Sequence, residues 1–132
     1  MNDLKIGYAE TNVNPKLGIA IGGYFVPRFA KGFLSDLKAI ALAIKSGNET
    51  VIIVSIDNCE LFAPIIAKIK AAVKEKTGLD GDKLFISATH THTGPCLEAN
   101  HGFKYDEKPV IAYADFLVRK VAATCVDRKA HV

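Results

Sequence analysis

A chain of 132 residues with 49% hydrophobic and 23% charged content has the make-up of one globular domain with a core of its own, residues 1–132. Its formal charge of +3 is small and its lysines are scattered rather than gathered in runs, so nucleic acid is not an expected partner. The longest apolar runs, 39–44 and 51–54, fall far short of the ~18 residues of a spanning helix, so no membrane span is expected.

The first residues, MNDLKIGY, carry acid early and lack the apolar core of a secretory signal. Residues 4–12 alternate loosely and meet Asn14-Pro15, which predicts a strand ending in a turn. Residues 16–34 hold Gly18, Gly22-Gly23, Pro27 and Gly32, a density of breakers that predicts a long irregular excursion. Two apolar stretches, 37–45 and 50–56, are joined by Ser46-Gly47-Asn48-Glu49, good punctuation for a β-hairpin. The first arm, rich in alanine, is also compatible with a helix. Leu61, Ile65, Ile66, Ile69, Ala72 and Val73 then recur at steps of three and four with lysines opposite, an amphipathic helix closed by Gly78. Asp80-Gly81-Asp82 reads as a turn, 83–89 as a strand, 96–108 as a loop, and 109 to about 126 as a second helix opened by Pro109. The strand, helix, strand, helix order predicts an α/β fold, a mixed β-sheet with a β-hairpin and flanking helices in layers, with a right-handed crossover.

The chemistry concentrates in "FISATHTHTGP", residues 85–95. His90 and His92, spaced by two where a strand ends, would project from one side of it, and Gly94-Pro95 breaks the strand at once. Such a pair can supply two metal nitrogens, or one ligand and one acid/base group, or simply two hydrogen-bonded histidines. Thr89 and Thr91 flank the rings and are candidates to orient them from a second layer. A catalytic zinc takes three protein ligands and keeps a position open, so one strand cannot complete the site.

Other polar residues have plainer readings. His101 reads as a solvated loop histidine, Glu98 as a surface carboxylate, and His131 as part of a terminus. Cys96 lies beside the histidines but has no base placed for it. Cys59 and Cys125 are expected within helices as packing residues. Three cysteines, with no Cys-x-x-Cys pair, suit a reduced, cytoplasmic setting. Asp57 is read either as a wall of the site or as a cap for the helix that follows it.

"ISATHTHTGP", with "VIIVSID" upstream and "GGYF…SDLKAIALAI" before it, resembles the amino-terminal part of the neutral/alkaline, non-lysosomal ceramidases and their bacterial relatives. The resemblance runs through most of residues 6–95 and more weakly through the last helix. It implies a zinc-dependent amidohydrolase that cleaves the N-acyl bond of a ceramide-type lipid amide, with zinc as cofactor. By that resemblance His90 ligates zinc and His92 is the catalytic residue beside the reacting centre. Gly22, Gly23 and Tyr24 contact substrate, and Asp57, Thr89 and Thr91 form the second layer. The family's remaining ligands and its serine motif have no counterpart here, so the chain reads as an amino-terminal fragment, inactive alone. After Gly94-Pro95 the family tends to carry glycines, whereas Cys96-Leu97-Glu98 stands here. Two alternatives stay open: a metal-dependent hydrolase of the same family acting on another amide or ester, and a non-catalytic assembly module that forms a homo-oligomer through unpaired sheet edges.

Overall fold

The computed structural model describes residues 3–98 and 104–131, with side chains through 127. A four-stranded sheet has the order β1-β4-β5-β6: β1 (Leu4–Asn12), β4 (Lys38–Ser46), β5 (Glu49–Ile56) and β6 (Leu84–Ala88). β1, β4 and β5 pair antiparallel, with Gly7 opposite Ala43 and Ala43 opposite Ile52. β6 joins parallel to β5, with Val54 opposite Ile86, after the crossover helix α1 (Ala63–Thr77). The chain closes with α2 (Lys108–His131). The α/β class and the mixed sheet with its hairpin are as the sequence predicts.

Both helices lie on one face of the sheet. The core joins Ile65, Ile69 and Val73 of α1 to Val110, Leu117 and Val121 of α2, and sets both against Ile52, Val54 and Ile56. Each such fully buried aliphatic contributes about 1.5–3 kcal/mol relative to an exposed one. The alanine-rich arm, compatible with either structure in isolation, is strand β4. Its Ala39, Ala41 and Ala43 are buried under α2, while Ile40, Leu42 and Ile44 point to the uncovered face. Small residues on the covered side let the helix approach closely, so tertiary packing overrides alanine's helical preference.

Gly78 caps α1 in a left-handed conformation (φ 73°) and donates its N–H to the Lys74 carbonyl. The 80–82 turn is a single 3-10 turn, Gly81–Lys83. The excursion after β1 is better ordered than its breakers suggest. Ala20–Ile21 (β2) pairs with Arg28–Phe29 (β3), extended by bonds between Gly18 and Ala30 and between Ala30 and Ile19. An isolated bridge from Ile21 to Pro95, and the Cys96 N–H donated to the Ala20 carbonyl at 2.8 Å, fasten this hairpin to the loop after β6. That contact brings residues 20–28 against the two histidines.

Candidate metal site

β6 stops at Ala88, so neither histidine is on a strand. The expected convergence occurs, but strand alternation does not produce it. His90 sits in the left-handed region at φ 66°, the one described non-glycine residue with positive φ. That conformation is costly for a residue with a Cβ and is found where surrounding contacts impose it. Here the His90 N–H is donated to the Asn58 carbonyl at 2.9 Å, and its ring Nδ1 lies 2.7 Å from the Cys59 carbonyl oxygen. A carbonyl can only accept, so Nδ1 carries the proton and Nε2 presents its lone pair. His92 Nε2 is 3.1 Å from that atom.

Three residues of the excursion hold His92, two at its ring and one at its carbonyl. Gly23 has φ 94°, and a Cβ there would lie 2.7 Å from His92 Cγ, so only glycine allows the backbone this close. Tyr24 meets the ring edge-on, with centroids 5.6 Å apart. Arg28 donates from Nη2 to the His92 carbonyl oxygen and, at 3.3 Å, to that of Gly22. Its guanidinium also lies 3.7 Å from the Tyr24 ring centroid. Arg28 Nε is buried and has no hydrogen-bond partner among the described residues, so the stacking on Tyr24 is its remaining compensation.

Asn58 does comparable work beneath the loop. It is buried, donates from Nδ2 to the Pro95 carbonyl at 3.2 Å, and accepts the Cys59 N–H on Oδ1 at 2.8 Å. A Cβ on Gly94 would stand 3.1 Å from Asn58 Cα, so the two loops touch there.

The predicted second layer is more distant. Asp57 accepts the Lys38 N–H on Oδ2 and the Thr89 hydroxyl on Oδ1, tying β4 to the end of β6. It does not cap α1, whose N-cap is Phe62 without a side-chain bond. Thr91 pairs with Thr93 through their hydroxyls at 2.8 Å. The bond orienting the His90 ring is therefore main-chain, from Cys59, and neither threonine supplies it.

Cys59 itself corrects an expectation, since it lies in the loop ahead of α1 and not in a helix. Its Sγ is 3.7 Å from His90 Nδ1. Burial pushes its thiol above the ordinary cysteine value, with Glu60 adding to the effect. Cys125 is in α2 as expected. Cys96 is buried between the hairpin and the site, its thiol also raised by burial. His101 lies outside the described residues, as does the His131 side chain. A cavity of about 470 Å³ opens beside His90 and His92, walled by Tyr24, Phe25, Val26 and Arg28 on one side and Cys59 and Cys96 on the other.

These donors fit a zinc ion. Ligand atoms of Cys59, His90 and His92 all lie within 4.8 Å of one another. Thiolate and imidazole are zinc's ordinary ligands, and two nitrogens on a tetrahedral zinc at about 2.0–2.1 Å stand about 3.3–3.4 Å apart, close to the separation here. The Cys59 carbonyl holding Nδ1 of His90 is the usual outer support of a ligating histidine.

The fold matches that of part of two solved ceramidases. The chain is similar to the crystal structure of the neutral ceramidase from Pseudomonas aeruginosa, with a TM-score of 0.73 and 18% identity over 98% of this chain and 21% of that one. A second solved structure, a ceramidase complexed with C2, gives a TM-score of 0.74 and 20% identity over 98% of this chain and 22% of that one. The chain thus spans about a fifth of the length of those proteins. No protein-family model matches it, and no curated protein does. The structural likeness and the likeness carried by the His-x-His motif point to the same proteins. No helix among the described residues is long and apolar enough to cross a membrane.

Arg28, Asn58 and the Cys59 carbonyl were not singled out by their spacing. The available signal was weak: Asn58-Cys59 directly follows a strand predicted to end in Asp57, and Arg28 stands in the excursion already marked as irregular.

Proposed function

We propose that the chain is the His-x-His portion of a ceramidase-like, zinc-dependent amidohydrolase acting on the N-acyl bond of a lipid amide. The observation that carries this reading is the facing pair of Nε2 atoms, 3.1 Å apart on the wall of a cavity that apolar side chains line together with Arg28 and Glu60. His90, fixed in one tautomer by the Cys59 carbonyl, is the primary ligand, with the Cys59 thiolate as a further donor. Bound there, zinc would polarise the acyl carbonyl and favour an attacking oxygen. When the C–N bond breaks, the leaving amine needs a proton, and His92 Nε2 is the group placed to carry one. Gly23, Tyr24 and Arg28 keep that nitrogen aimed, and Phe25 and Val26 offer the acyl chain an apolar wall. Asp57 supports the site only indirectly, through Thr89 next to His90.

A second reading rests on the mutual distances of Cys59, His90 and His92, which also suit His92 as a ligand. Zinc content and affinity of the purified chain separate the two. Stoichiometric zinc is expected in the wild type, with His90→Ala losing it and Cys59→Ser weakening it about 10–100-fold. Zinc kept in His92→Ala assigns that ring to proton transfer, and zinc lost there assigns it to the ion. A wild-type chain that takes up no zinc would overturn the metal reading of these residues.

A further inference from the structure

The hairpin that walls the cavity also has the composition of a lipid-facing surface. Phe25 is 97% exposed, Val26 60%, Tyr24 54% and Leu34 108%, side chains that gain nothing from water. Seven of the thirteen exposed large apolar side chains among the described residues fall within 17–34. Single exposed apolar residues are ordinary, but a concentration of this kind marks a surface that meets something apolar.

Charge identifies that partner. Between Glu10 and Asp36 the chain carries Lys16, Arg28 and Lys31 and no carboxylate. The other 107 residues carry 14 cationic and 14 acidic side chains, which cancel, so the chain's whole formal excess of +3 lies in this stretch. Lys16 and Lys31 are exposed. Apolar side chains that can enter the acyl boundary, beside cations that meet anionic headgroups, are the two components of peripheral membrane attachment. The open sheet face differs. It too exposes large side chains, among them Ile6, Ile53 and Phe85, but it is bordered by paired charges, Lys38 with Glu10 and Lys83 with Glu49. Nothing there favours an anionic surface.

We propose that residues 24–34 dock the protein on the surface of an anionic lipid bilayer, with Phe25, Val26 and Leu34 entering the headgroup boundary and Lys16 and Lys31 meeting lipid phosphates. Tyr24, Phe25, Val26 and Arg28 line the cavity that holds His90 and His92, so the same segment leads from the bilayer to the site. Only that destination rests on the hydrolase reading. Docking does not require zinc.

The chain has no tryptophan, which makes a single-tryptophan reporter clean. Phe25→Trp and, on the open sheet face, Phe85→Trp are each mixed with vesicles of phosphatidylcholine alone or with phosphatidylglycerol added. Emission from position 25 moves to shorter wavelength on the anionic vesicles, position 85 stays unchanged, and adding Lys31→Glu to Phe25→Trp weakens partitioning about tenfold or more. No shift at position 25 overturns the proposal, as does a shift at position 85 equal to or larger than it. Equal binding to neutral vesicles overturns the charge assignment. A shift at 25 in a chain that holds no zinc would leave docking standing and remove the metal reading, and the reverse result would do the opposite.

Discussion

The seam between α2 and the sheet and the loops around His90 are built on different terms. Along the seam, Ala39, Ala41 and Ala43 face Leu117, Val121 and Cys125, all buried. None of the positive-φ residues lies on β4 or α2, and the Tyr113 hydroxyl is satisfied by the Val13 carbonyl at 2.7 Å. Around the site, His90 and Gly23 hold positive φ, and a buried arginine nitrogen lacks an acceptor among the described residues. The seam supplies stability and the loops consume some of it. Changes in the first region should therefore move stability and leave metal uptake alone, whereas changes at the loop positions that touch His90 and His92 should move metal uptake as well as stability.

The largest effect on stability comes from the seam at high pH. Burial pushes the Cys125 thiol from an ordinary 9.0 up to about 12. Between those values the unfolded chain gives up the proton and the folded chain keeps it, so the unfolded state binds fewer protons and stability falls as pH rises. Stability is fully present below about pH 9 and declines by about 1.4 kcal/mol per pH unit, roughly 4 kcal/mol in all. Tyr113, raised by burial and then by Asp57, adds to the decline above its ordinary 10.0. Urea midpoints from about pH 8 to 11 should fall steeply in the wild type and less steeply in Cys125→Ala, with zinc content equal in the two. An unchanged slope would show that this thiol does not govern the alkaline limb.

On the other side, Gly23→Ala tests the loops. The new Cβ collides with His92 Cγ at 2.7 Å and the backbone must keep φ 94°, so a stability loss of about 1–3 kcal/mol is expected. Because the collision is with the site itself, zinc affinity should fall about 10–100-fold as well. Gly32→Ala is the matched control: nothing stands within 4 Å of its Cβ, and both quantities should hold. Full zinc affinity in Gly23→Ala would mean that His92 does not need this contact.

The contrast between the regions also explains what could be read from the sequence. β1 occupies the predicted 4–12, and β5, α1 and β6 fall within two residues of expectation, because each carries a period that its packing uses. The long excursion was legible as irregular but its short β2–β3 pairing was not, since two-residue strands leave no period. His90 and His92 were legible as a pair, whereas their supports were not. Arg28, Asn58 and the Cys59 carbonyl act through main-chain bonds to residues 31 to 64 positions away, and no spacing rule encodes those. Cys59 stands outside the helix expected for it because α1 begins only at Ala63.

The smallest difference separates the two regions most directly. His90→Ala and His90→Gly both remove the ring and its bond to the Cys59 carbonyl, so that loss cancels between them. What remains is the backbone at φ 66°. A left-handed conformation costs a residue with a Cβ about 1–2 kcal/mol, and glycine escapes that cost. At an ordinary loop position the order is opposite, with alanine the more stable by about 0.4–1 kcal/mol because it narrows the unfolded ensemble. Thermal or urea melts of the two variants should therefore place glycine above alanine by about 1 kcal/mol, with zinc absent from both. Alanine equal to or above glycine would mean that the backbone at 90 is not strained. Glycine above alanine would locate a destabilised backbone at the residue proposed to hold the ion, where strain is tolerated because it aims a ligand.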